Sequence, residues 1–339
     1  MHKHFPYDAF SGTRVLVTGA TGFIGQHLCA ALIRTNAQVY GLRRPGNSPR
    51  WWSLDPERVT WLEADLNDRH RLESVVRPIQ ATHIIHLAAT TPGERGLHTV
   101  GRTIGDNLLG TMHLLQVLDG TGYTCFIQTG SAEEYGATVA PFHEDAPLKP
   151  VSPYSASKAA ASLFCDMFHR TLGCPTVVIR PFLVYGPGQP PDKLIPQTIL
   201  AALTNQPFRL TSGRQTREFT YIDDLIDGYL RAAMTKDAIG QTINLGTGLA
   251  LPVVEIVTKI IEMTGSTITP EVGALPDRTG EIMSYVCDNS KAGMLLGWSP
   301  SISLEDGLQT TIEWYRQAID QGRLPLDRSS GTSYSNKQF

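Results

Sequence analysis

The sequence predicts an α/β fold: a doubly wound parallel sheet with a second, smaller α/β lobe. Three observations carry this. Short apolar runs recur at 14–18, 38–42, 59–63, 82–87, 125–129 and 176–180. Stretches long enough for helices separate them, and strands that alternate with helices imply a parallel sheet covered on both faces. The pattern then changes at Pro181, after which proline, glycine and loop residues dominate.

Taken in order, 14–18 (RVLVT) is a buried strand that ends in a glycine-rich turn, and a helix follows over 23–35. The second to sixth strands are QVYGL at 38–42, VTWLE at 59–63, THIIHL at 82–87, CFIQT at 125–129 and TVVIR at 176–180. Helices are expected at 104–118 and 155–172. Beyond Pro181 the pattern predicts a helix at 195–204, another at 222–233, a strand at 242–245 and a helix at 253–264. The dinucleotide-binding domain is therefore assigned to 1–180 plus about 216–250, and the substrate lobe to about 181–215 plus 251–325. No long linker separates them, so a cleft should lie between. The polar stretch 326–339 is expected to be disordered.

Composition excludes several classes. Among 339 residues, 41% are apolar and 18% charged, unlike a disordered chain or a coiled coil. The net charge of -3 gives no general reason to bind nucleic acid or an anionic membrane. No apolar run is long enough to span a bilayer, and 1–14 has no apolar signal core. The five cysteines are scattered and never form a C-x-x-C pair, which points to a reducing, cytoplasmic setting. His86 and the aspartates at 223–224 lack metal-ligand spacing, so no metal site is expected.

Gly19, Gly22 and Gly25 form G-x-x-G-x-x-G between the first strand and the first helix. Such a turn lets the backbone approach a pyrophosphate, with the helix N-terminus facing it. Eighteen residues beyond Gly25, where an NAD enzyme usually places an acid, stand Arg43 and Arg44. Guanidinium groups can bind a 2′-phosphate that a carboxylate would repel, so NADP(H) is favoured over NAD(H). A solvated basic loop would read the same way. Asp65 and Leu66 fit the adenine edge.

Tyr154 and Lys158 are four residues apart and share one helix face. The ammonium favours the phenolate and is expected to lower the tyrosine pKa. Such a tyrosine can take a proton from an alcohol or return one to a carbonyl.

At this point the chain resembles the extended short-chain dehydrogenases/reductases, the nucleotide-sugar epimerases, dehydratases and reductases of the Rossmann type. The resemblance runs over 14–315. It rests on TGATGFIG at 18–25, HLAA at 86–89, Asn107 before Gly110-Thr111 and GSAEEYG at 130–136. It continues with SPYSASK at 152–158, RPFLVYGPG at 180–188, REFTYIDD at 217–224 and INLGTG at 243–248. It implies catalysis by Ser131, Tyr154 and Lys158. It adds Glu133, which resembles the carboxylate that 4,6-dehydratases keep beside the sugar ring; a surface glutamate is the alternative. One dehydratase type carries a further Asp where Ala132 stands, so the two-carboxylate version is missing. Cofactor contacts are implied for Gly19, Thr21, Gly22, Phe23, Ile24, Gly25, Arg43, Arg44, Asp65, Leu66, Leu87, Ala88, Ala89, Tyr154, Lys158 and Pro181.

The resemblance implies a nucleotide-diphosphate sugar as substrate, met by Thr90, Ser131, Glu133, Leu183, Lys193, Arg217 and Arg278, with the two arginines clamping the pyrophosphate. Leu183 departs from the family, which often has Asn there. The implied chemistry is redox modification at C4 of the hexose, as a 4-keto-6-deoxy-sugar reductase or a 4,6-dehydratase. A 4-epimerase, a non-sugar carbonyl reductase and a non-catalytic NADP(H)-sensing protein are the alternatives. A homodimer is expected, formed through the helices at 104–118 and 155–172.

Overall fold

The structure, a computed structural model, describes residues 7–47, 56–91, 96–277 and 281–324. Its centre is a parallel sheet of β1 (Arg14–Thr18), β2 (Gln38–Arg43), β3 (Val59–Glu63), β4 (His83–His86), β5 (Cys125–Thr129), β6 (Thr176–Pro181) and β7 (Thr242–Leu245). The spatial order is 7-6-5-4-1-2-3, and every pairing is parallel. The order reverses between β1 and β4, which opens a crevice at the carboxyl ends of those strands.

Side chains alternate between the two faces, as a pleat requires. On one face Val15, Val17, Ile85, Ile127, Val177 and Ile179 pack with Leu28 and Leu32 of the Phe23–Arg34 helix and with Leu225 and Tyr229 of the Ile222–Met234 helix. On the other, Leu16, Ile84, Phe126 and Val178 meet Leu72, Leu114, Leu118 and Cys165. Burial on both sides explains why these strands read as continuous apolar runs. Each fully buried Leu or Ile contributes about 1.5–3 kcal/mol.

The expected 155–172 helix spans Pro153–Leu172. Ser152 caps it and exchanges hydrogen bonds with Ser155, Pro153 opens the first turn, and Gly173 ends it at φ 69°. The expected 104–118 helix is less regular. Ile104–Leu109 is a π-helix, and α-helical geometry resumes at Gly110–Leu118. The Arg69–Val76 and Leu304–Asp320 helices have no counterpart in the sequence prediction. Glycine and threonines blur the apolar periodicity of the latter, yet Leu308, Ile312 and Tyr315 form its buried stripe.

After β6 the chain builds a small sheet in which Thr216–Arg217 lies between Leu251–Pro252, antiparallel, and Ser284–Tyr285, parallel. Leu194, Phe208, Leu210, Val257 and Ile261 form an apolar cluster of their own beside it. The Arg217↔Tyr285 register brings two distant segments side by side. The expected tail at 326–339 lies outside the described residues.

Candidate functional site

A groove of about 200 Å³ opens at the carboxyl ends of β1 to β4. Gly19, Thr21 and Gly22 form its floor, Arg43, Arg44, Asp65 and Leu66 line one wall, and Leu87, Ala88 and Ala89 line the other. Two glycines are there for steric reasons. At Gly19, with φ 67°, a Cβ would lie 2.8 Å from the Ala88 nitrogen. At Gly25 it would lie 2.2 Å from the Gly19 carbonyl oxygen. The helix that follows starts at Gly22 without a side-chain cap, which leaves N-terminal N–H groups for a phosphate. The turn thus fits the pyrophosphate of a dinucleotide. Phe23, Ile24 and Gly25 continue into the helix behind it, and Pro181 closes β6 farther along the sheet edge.

The sequence placed no acid beside the two arginines, but the fold brings two from other elements. Glu63 at the end of β3 pairs with Arg43 at 2.8 Å, with Trp61 packed against the same guanidinium. Asp106, on the π-helical turn, stands 3.6 Å from Arg44.

The same π turn organises the middle of the site. The Asn107 side chain accepts the Thr90 N–H at 2.7 Å and donates to the Thr90 carbonyl at 3.1 Å and to Ser157 Oγ at 2.9 Å. It therefore ties the loop after β4 to the helix that carries Tyr154 and Lys158. His86 is buried between Thr18 Oγ1, at 2.6 Å from Nδ1, and Thr111 Oγ1, at 3.0 Å from Nε2. Burial and the Lys158 charge push its pKa down to about 3, so the imidazole is a neutral strut. Among the described residues no cluster of His, Cys, Asp and Glu could hold a metal ion.

Ser131 follows the end of β5, Tyr154 and Lys158 lie on the Pro153–Leu172 helix, and the Glu134 charge acts on both Tyr154 and Lys158. The Ser131 hydroxyl lies near enough to the Tyr154 phenol to favour its ionised form. Its pKa is raised rather than lowered, because desolvation of the phenol and the Glu133 carboxylate both oppose the phenolate. The lowering expected from the Lys158 ammonium is not found: the groups that shift Tyr154 are its own burial, Glu133, Ser131, Glu134 and Tyr229. Lys158 is 2% exposed, and burial pushes its ammonium down to about 8 against the pull of Glu134.

The two adjacent glutamates divide the work. Glu133 is half-buried, and its charge acts on Tyr154, Tyr285 and Arg217. Glu134 is fully buried. It accepts from the Ser131 N–H at 2.9 Å, from Ser162 Oγ at 2.9 Å and from Arg180 Nε at 2.8 Å. Arg180 also donates to the Tyr135 hydroxyl at 2.9 Å, which donates to Asn244 at 2.8 Å. Sequence reasoning missed this network, although an arginine in an apolar strand signals a buried counter-charge.

Arg217 pairs with Glu281 and donates to the carbonyls of Thr216 and Ile282, while its guanidinium lies 5.7 Å from the Tyr285 ring centre. Tyr285 is buried among Phe142 and Phe182 and was not anticipated either. Thr90 is buried, Leu183 is half-buried, and Lys193 precedes the Leu194–Leu203 helix with an exposed side chain. Arg278 lies outside the described residues.

Comparison with known proteins agrees with this geometry. Residues 15–246 match the model of the NAD dependent epimerase/dehydratase family. The chain is 30% identical to a UDP-glucuronate 4-epimerase of Thermodesulfobacterium geofontis over 90% of this chain and 97% of that protein. It is 29% identical to the dTDP-D-glucose 4,6-dehydratase of Mus musculus, over 90% and 89%. It superposes on the Bacillus cereus UDP-glucuronic acid 4-epimerase, solved with UDP-glucuronic acid and NAD. The TM-score is 0.80 at 30% identity, covering 90% of this chain and 99% of that one. The chain therefore belongs to the NAD dependent epimerase/dehydratase family, enzymes of the extended short-chain dehydrogenase/reductase type.

Proposed function

We propose that the protein performs NADP(H)-dependent chemistry at C4 of a nucleotide-diphosphate hexose, as a 4-keto-6-deoxy-sugar reductase or a 4,6-dehydratase. The observation that carries this reading is Glu133, a half-buried carboxylate two residues beyond Ser131 whose charge acts on Tyr154. Bound in the groove, the dinucleotide would supply hydride transfer. Tyr154 moves a proton to or from the C4 oxygen, and the Ser131 hydroxyl hydrogen-bonds that oxygen and orients it toward the phenol. Lys158, one helical turn on from Tyr154, supplies positive charge to the site. Glu133 removes the C5 proton if water is lost from C6. Arg217, with Arg278 beyond the described residues, binds the pyrophosphate. Arg43 and Arg44 favour NADP(H) through its 2′-phosphate.

A second reading, 4-epimerisation, draws support from the UDP-sugar 4-epimerases among the relatives. It needs no base at C5. Exposed Ile104, Leu109, Leu163 and Phe164, on the helices expected to pair, support a homodimer. The free cysteines and the lack, among the described residues, of a helix able to cross a membrane fit a cytoplasmic enzyme. The boundaries 1–180 plus about 216–250, and 181–215 plus 251–325, remain our division of the chain.

The test is the fate of Glu133→Gln on candidate UDP-, GDP- and dTDP-hexoses, and on their 4-keto-6-deoxy derivatives with reduced cofactor, in deuterated water. A dehydratase incorporates deuterium at C5, and the substitution lowers water loss by roughly 10²- to 10⁴-fold. A reductase consumes reduced cofactor one for one and tolerates the change within a few-fold. C4 inversion without net cofactor use, indifferent to Glu133→Gln, would replace both with epimerisation.

A further inference from the structure

The groove assigned to the dinucleotide contains an acid that its glycine turn does not explain. Asp106 reaches in from the π-helical turn, and its side chain is only 18% exposed. Two hydrogen bonds and two guanidinium groups hold the carboxylate. Thr90 Oγ1 donates to Oδ2, and Asn67 Nδ2 donates to Oδ1 at 3.2 Å. Arg44 and Arg102 stand 3.6 Å and 3.7 Å from Oδ2. Glu63, the acid paired with Arg43, is 43% exposed. Glu63 can swing out toward solvent when an anion arrives. Asp106 cannot follow without giving up Thr90 and Asn67.

We infer that Asp106 is a specificity-determining residue for the cofactor: a fixed negative charge that competes with a 2′-phosphate for Arg44 and so limits the preference for NADP(H) over NAD(H). The inference rests on the reading of the groove as the dinucleotide site. The physical argument is short. A 2′-phosphate brings up to two negative charges to the arginines at the end of β2. To bond Arg44 it must break the Arg44–Asp106 pair and then remain beside a carboxylate that stays in place. NAD(H), with an uncharged 2′-hydroxyl, meets neither cost. Removing the charge while keeping the shape should therefore help one dinucleotide and leave the other alone. The Arg44 pair is partly screened by solvent, so its loss and the remaining repulsion are both modest. The expected gain is roughly three- to tenfold in affinity.

The experiment measures dissociation constants of the full chain for NAD+ and NADP+, and for the fragments 5′-AMP and 2′,5′-ADP, which report on the adenosine end alone. Asp106→Asn keeps an acceptor for Thr90. It is expected to tighten NADP+ and 2′,5′-ADP by roughly three- to tenfold and to leave NAD+ and 5′-AMP within twofold. Adding Arg44→Ala to Asp106→Asn should erase the gain, because Arg44 is the group set free. An unchanged NADP+/NAD+ ratio would overturn the inference. So would an equal change for both dinucleotides, which would reduce Asp106 to a support for Thr90. Wild-type protein that bound neither dinucleotide would overturn the reading of the groove itself, a result distinct from an unchanged ratio.

Discussion

Replacing Glu134 by alanine tests the buried network beneath the catalytic residues. The substitution removes the acceptor of Ser131 N–H, of Ser162 Oγ and of Arg180 Nε. It leaves Arg180, itself buried, with the Tyr135 hydroxyl and the Tyr135 ring 4.7 Å away as its close partners. Breaking a buried ion pair from one side costs about 3–5 kcal/mol, because the surviving charge stays desolvated. In a chain of 339 residues each kcal/mol moves the melting temperature by about 1.4 °C, so a fall of roughly 4–7 °C is expected. Thermal unfolding followed by near-UV circular dichroism reads this directly. A second variant separates the charge from the packing. In Glu134→Ala/Arg180→Met the stranded guanidinium is gone, and the double variant should be more stable than the sum of the single losses. Two results would refute the reasoning: a loss below about 1 kcal/mol in Glu134→Ala, or strict additivity in the pair.

Glu218 carries a pH prediction. It is fully buried, and burial pushes its carboxyl up to about 7 despite N–H bonds from Gly248 at 2.7 Å and Cys287 at 3.2 Å. Because the folded value lies above the ordinary 4.5, its contribution to stability is complete below about pH 4.5 and is lost as pH rises through 7. Glu218→Gln should flatten melting temperature against pH over that window and stabilise the protein at pH 8 by about 2–3 kcal/mol; an unaltered slope would contradict this. Lys158, pushed down to about 8, should give the pH–rate profile an alkaline limb near that value, and Lys158→Arg should remove the limb even at a lower rate. Gly25→Ala puts a Cβ 2.2 Å from the Gly19 oxygen. Dinucleotide affinity, measured by fluorescence titration, should fall at least about tenfold as the turn shifts.

The sheet was legible because its central strands are buried on both faces, so pairs such as Leu16 and Val17 are both apolar although they point in opposite directions. The glycine turn and the Tyr154–Lys158 pair were legible because their meaning lies in local spacing. What escaped depends on contacts between distant segments. The small sheet is made of two-residue strands, too short for any period to register, and its Arg217↔Tyr285 pairing joins positions far apart in the chain. The absence of an acid after β2 was correctly read from the sequence, yet Glu63 and Asp106 reach the same arginines from β3 and from the turn before Gly110. Glu133 and Glu134 look alike in sequence. Only the fold separates them, sending one toward Tyr154 and the other into a salt bridge with Arg180.

The π-helical stretch at Ile104–Leu109 is in effect a stored one-residue insertion. On a regular helix, neighbours project about 100° apart, so Asp106 and Asn107 would not both be expected on the surface that meets Thr90. The widened turn lets them do so, and Asp106 and Asn107 grip the Thr90 hydroxyl and backbone respectively. Chain length is therefore constrained here more tightly than side-chain identity. A one-residue deletion would leave a continuous helix and a sound apolar core at Leu114 and Leu118. It would also rotate the preceding segment and release Thr90. Natural or engineered variants should accept substitutions at 104, 105, 108 and 109 far more readily than a change in the number of residues.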